Sequence, residues 1–94
     1  MGQLLKTIRR LVSENRYLIG LHALERLEER QILEWQVVSG LEGALLILER
    51  PEAMPNPAVE VQELLPDGTE IKAVWSYLPH SNVAKLVTVH YFDG

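Results

Sequence analysis

Ninety-four residues, 47% hydrophobic and 23% charged with a net charge of −4, have the composition of one ordinary globular domain. The absence of cysteine excludes a disulfide framework, a thiolate nucleophile and a cysteine-built zinc site. No apolar run approaches a membrane span and no signal-peptide pattern precedes the first helix, so the expectation is a cytoplasmic protein that makes no membrane contact.

Residues 3–14 carry Leu4, Leu5, Ile8, Leu11 and Val12 at helical spacing, with Lys6, Arg9 and Arg10 outside. Tyr17 to Ile19 read as a short apolar link ending at Gly20. A second helix follows over residues 21–29. A third is expected over residues 34–42, with Trp35, Val38 and Leu41 on one side. Gly40 weakens it and Gly43 is placed to cap it. Residues 45–49 then read as a short strand, because Gly43 precedes them and Pro51 follows. Pro51, Pro55 and Pro57 mark a long surface connection, most simply a plain linker, with a lip over a site as the alternative.

Beyond the prolines the period changes to two. Residues 58–65, 69–78 and 83–92 read as strands, and Asp67-Gly68 makes the first two a hairpin. The expected fold is therefore α+β: two to three N-terminal helices packed on one face of a three- to four-stranded antiparallel sheet. Residues 1–94 form a single domain, helical over 1–43 and mostly antiparallel sheet over 44–94. In the last strand Val87 and Val89 are expected to meet the helices. Thr88 and His90 would then look out on the open face near Lys72 and Ser76, unless the register slips by one.

The stretch His22–Arg30, HALERLEER, concentrates the chain's polar chemistry. His22, Arg26 and Arg30 form an i, i+4, i+8 row beside the apolar stripe of Ala23, Leu24 and Leu27, while Glu25, Glu28 and Glu29 fall on the far side. Like charges one turn apart cost a few tenths of a kcal/mol, so a helix shaped only for stability would alternate the signs. The plain reading is that each arginine lays its stem over the core edge and pairs with an acid. The functional reading is a cationic ridge for an anion, with free backbone N–H groups near His22 at the helix start. His90 could act as a general acid, although a solvated strand histidine is the simpler reading, and His80 sits in a turn. The histidines have no metal-ligand spacing, so neither metal nor cofactor is expected. Trp35, Trp75 and Tyr77 are most simply core, and Tyr91 is undecided. Residues 1–30 hold six cations against four acids, whereas residues 31–94 hold three against nine. An acidic chain should not bind nucleic acid through overall charge; any RNA contact has to be local.

HALERLEERQI, then a short helix and strands ending in LVTVHY, resembles the bacterial family known as domain of unknown function 4258 over roughly residues 18–92. His22, Ala23, Arg26, Arg30, Thr88 and Tyr91 fit its pattern. Gln31 and Leu33 depart from it, standing where the family usually has a glycine and then a helix-capping serine. The third helix thus lacks a side-chain cap worth about 1 kcal/mol, and the first helix looks like an extension. The resemblance implies a toxin of a toxin–antitoxin pair, similar to ribonuclease toxins of the RelE and barnase-like group. It implies metal-independent cleavage of single-stranded RNA, with a small antitoxin protein carrying a zinc-finger domain as partner. On that reading His22 is base or acid, Arg26 and Arg30 clamp phosphate, and Thr88 and His90 are supporting donors. Two other readings stay open: a non-catalytic interaction module holding a basic partner, and a homodimer or larger homo-oligomer joined through the Trp-containing helix or an open edge strand.

Overall fold

The computed structural model describes residues 2–92. The elements run α1 (Gln3–Ser13), β1 (Tyr17–Ile19), α2 (Leu21–Arg30), α3 (Glu34–Gly40), a 3-10 turn (Leu41–Gly43), β2 (Leu45–Arg50), β3 (Ala58–Leu64), β4 (Glu70–Leu78) and β5 (Val83–Tyr91). The fold is α+β with its helices N-terminal, as expected. The sheet, however, has five strands in the order β1-β5-β4-β3-β2 and is mixed rather than purely antiparallel. The apolar link Tyr17–Ile19 is a strand, paired parallel to β5 from Ala84 to Leu86. Three residues are too few to display a period, which hid it in the sequence.

The core is built where α1 lies across the sheet. Leu5, Ile8, Leu11 and Val12 are its buried stripe, and they meet the inward positions of β3, β4 and β5, among them Val59, Val61, Ile71, Ala73, Trp75, Leu86 and Val89. Burying a side chain of this size stabilises by about 1.5–3 kcal/mol. Glu49 of β2 caps α1 from a distance, its Oε2 accepting from the Leu5 N–H at 3.0 Å. Arg9 reaches the other way, donating to the carbonyls of Leu41 (3.1 Å) and Ala44. These contacts tie the first helix to the turn and strand that follow α3.

The Asp67-Gly68 hairpin forms as read. Gly68 has φ +90°, and Asp67 Oδ1 accepts from the Thr69 N–H at 2.9 Å. In β5 the alternation is broken by a bulge, for Val74 pairs with Thr88 but Trp75 with Leu86. One residue is thereby added to β5. Val89 goes inward as expected, but Val87 joins the open face, so the expected Val87/Val89 pair is split. The third helix ends at Gly40 rather than residue 42; Leu41 is buried as expected, in the 3-10 turn, and Val37 with it, but Trp35 is 58% exposed and not core. The proline segment lies against the open face of the sheet, where Ala53, Met54, Pro55 and Asn56 line one side of a cavity.

Candidate functional site

The backbone places α2 before any side chain is considered. β1 pairs with only the first half of β5. The chain then turns at Gly20, whose N–H donates to the Leu86 carbonyl at 2.9 Å. A Cβ at Gly20 would stand 2.9 Å from that same oxygen, so the approach is open only to glycine. At the far end of the helix the Tyr91 hydroxyl donates to the Arg30 carbonyl at 2.9 Å. Between these two anchors α2 runs alongside the half of β5 that β1 leaves unpaired, burying Ala23 and Leu27.

The rim row of α2 is thus set beside the outward residues of β5, where Thr88 and His90 pair with Val74 and Lys72 of β4. Burial, then the positive charges of Lys72, Arg30, Arg26 and His22 in that order, hold the His90 imidazole below its ordinary value of 6.5. The packing agrees: α2 lies on β5, Arg30 stacks on Tyr91 next to His90, and Lys72 is the cross-strand partner of His90. His22, Arg26, Arg30, Thr88 and His90, singled out from sequence, are therefore gathered at one end of the open face. Lys72, expected only as a neighbour, belongs with them.

The side chains are not equally free. Arg26 Nη1 lies 2.6 Å from Glu29 Oε1, an i, i+3 pair at the surface that costs little to open. This is the plain pairing that the sequence allows for, and it occupies one cation of the row. Arg30 instead stacks its guanidinium 5.0 Å from the centre of the Tyr91 ring. Lys72 Nζ is 3.4 Å from Glu60 Oε1, and the other oxygen of Glu60 takes Arg50 at 2.6 Å. His22 is exposed and enters no ion pair among the described residues. Two donors in the patch, Arg30 Nε and Thr88 Oγ1, are buried without a hydrogen-bond partner. Buried polar atoms are normally matched, so these two donors stand out on the cationic side of the open face. Among the described residues no three His, Asp or Glu side chains are grouped as metal ligands.

The family model for the domain of unknown function DUF4258 matches residues 19–91. The chain belongs to this family. No curated protein and no solved structure matches it. The DUF4258 match begins inside β1, so α1 lies outside it, yet α1 supplies four residues to the core. The residues at which this DUF4258 chain departs from the expected pattern have visible consequences. Gln31 adopts the left-handed φ of +56° that glycine takes without strain, and Leu33 opens α3 with no side-chain cap. Gln36 supplies half a substitute, its Oε1 accepting from the Leu33 N–H at 3.2 Å.

Proposed function

We propose that the protein is the toxin component of a bacterial toxin–antitoxin pair and cleaves single-stranded RNA without a metal. The observation that carries the reading is the pair of buried, unpartnered donors, Arg30 Nε and Thr88 Oγ1, in a patch with His22, Arg26, Lys72 and His90. A phosphodiester held by the patch would take hydrogen bonds from both once the two side chains turn toward it, since neither atom is open to solvent at rest. The 2′ hydroxyl of the adjoining ribose attacks phosphorus, a P–O bond forms, and the bond to the 5′ oxygen breaks. His90, biased toward its neutral form by burial and then by its cationic neighbours, accepts the 2′ proton. His22 gives a proton to the departing 5′ oxygen. Arg26 and Arg30 stabilise the charge that builds on the phosphate, and the products are a 2′,3′-cyclic phosphate and a free 5′ hydroxyl.

The test is cleavage of single-stranded RNA by the purified chain in excess chelator. The reading expects cyclic phosphate ends, and rates lower by roughly 10²–10⁴-fold in His22→Ala and His90→Ala. Cleavage should fall as pH drops through the His90 value, below 6.5. Absence of cleavage by the wild-type chain, or full activity in both histidine variants, would falsify it.

A non-catalytic interaction module is the second reading, and one observation favours it. Edge strand β2 exposes Leu45, Leu46, Ile47 and Leu48 in succession, an apolar strip that a free monomer rarely shows. The same strip would serve the toxin reading as the seat of a small antitoxin. A chain that binds such a partner but never turns over RNA belongs to the second reading.

A further inference from the structure

The open face does not end at the cationic patch. Beyond Thr88 it continues into a cavity of about 270 Å³ between the sheet and the proline segment. Val74 and Val87 line it on the sheet side and Ala53, Met54 and Pro55 on the loop side, Met54 being 88% exposed and so open to solvent, while Asn56 and Ser76 stand among its walls. Val74 is the cross-strand partner of Thr88, and Val87 precedes Thr88 in the chain, so cavity and patch share two adjoining strands. From Val87 to His90 is about 10 Å along an extended strand.

Resting on the ribonuclease reading, we propose that this cavity is a nucleobase subsite for the nucleotide next to the bound phosphate. The slot between the aliphatic pair Val74 and Val87 and the proline segment suits a flat, weakly polar ring. Asn56 carries both an amide donor and a carbonyl acceptor, and Ser76 a hydroxyl, so a base edge meets groups of either sense. Lys85, also on the wall, suits a further phosphate of the same strand. Arg50 and Glu60 also line the cavity, and the Glu60 carboxylate, shared between Arg50 and Lys72, links it to the patch with its charge already balanced. The Val87 bulge gains a purpose here. It turns an apolar side chain out onto a face that is otherwise polar at Lys72, Thr88 and His90.

The experiment compares binding of short single-stranded RNAs carrying one abasic position, moved along the strand, by the full chain and by Ala53→Phe and Asn56→Ala. Phe at position 53 fills the slot from the loop side, and both substitutions lie outside the regular elements. Thermal melts of each variant check folding. At one position next to the cleaved bond, loss of the base should weaken wild-type binding about tenfold, the order of one stacked base. Ala53→Phe should bind intact RNA as weakly as wild type binds the abasic strand, with no further loss when the base is removed. Asn56→Ala should show a smaller loss that depends on which base is present. RNA that is cleaved normally, but binds equally well with every abasic position and with Ala53→Phe, overturns the subsite and leaves the ribonuclease reading standing. RNA that is neither bound nor cleaved by wild type overturns both.

Discussion

Glu63 breaks the rule that its strand otherwise keeps. It follows Val59 and Val61 on the inward face of β3 and is 1% exposed, its Oε2 accepting from the Trp75 Nε1–H at 3.2 Å. Burial pushes its carboxyl up to about 8, against which the Trp75 hydrogen bond is the lesser influence. Gly40 makes the room: a Cβ there would stand 2.8 Å from Glu63 Oε1. The folded chain therefore holds a proton on Glu63 that the unfolded chain releases near 4.5. Stability is greatest below that value and falls as pH rises toward about 8, by up to about 1.4 kcal/mol per pH unit from this group. Glu63→Gln keeps an acceptor for Trp75 and cannot ionise. Urea unfolding at pH 5, 6.5 and 8 should show the wild type losing stability relative to Glu63→Gln across that range. A difference between the two that is flat with pH would mean that Glu63 is ionised in the fold. None of this is legible in the sequence, where a Glu after two alternating valines looks like the strand fraying. His22, Arg26 and Arg30 were legible because helical spacing alone puts them in one row, whatever the row faces.

At the scale of elements, the period of two located β3, β4 and β5 within a residue or so, because each is long enough to repeat its pattern. β1 was missed for lack of length, and the β5 bulge because a single extra residue leaves no trace in composition. The turn between α2 and α3 is where a local rule and the structure disagree most openly. Gln31 holds φ +56° and Leu33, 56% exposed, occupies a cap position its side chain cannot serve. Gln31→Gly removes a left-handed penalty of roughly 1 kcal/mol, and Leu33→Ser supplies a cap of about the same worth. In a domain of this size each should raise the melting temperature by about 4–8 °C. Calorimetry of the two single variants and the double checks this. If neither melts higher than wild type, the turn is held by tertiary contacts of Gln31 or Leu33 rather than tolerated in spite of them.

The molecule as a whole is acidic, and from its sum of charges it should repel RNA. The fold changes the relevant quantity from the sum to the placement. Alongside β5, α2 brings Arg26, Arg30 and His22 toward Lys72 and His90, and the field of the other four is felt at the His90 imidazole. Binding through such a patch is confined to the few phosphates that can touch it. For single strands each neutralised phosphate contributes about −0.7 to the slope of log K against log salt. Contact with two or three phosphates therefore gives a slope between about −1.4 and −2.1. Arg26→Ala and Arg30→Ala should each make it shallower by about 0.7. Arg26 must first give up Glu29, but a surface pair of that kind holds only about 0–1 kcal/mol. It therefore costs affinity without changing the slope. Measured binding of a short uniform RNA between low and physiological salt decides the matter. A slope near zero would mean that no phosphate is held, and a steep slope indifferent to both arginines would move the contact off α2 altogether. A shallow slope that each substitution reduces is the signature of a small cationic site working against the charge of its own chain.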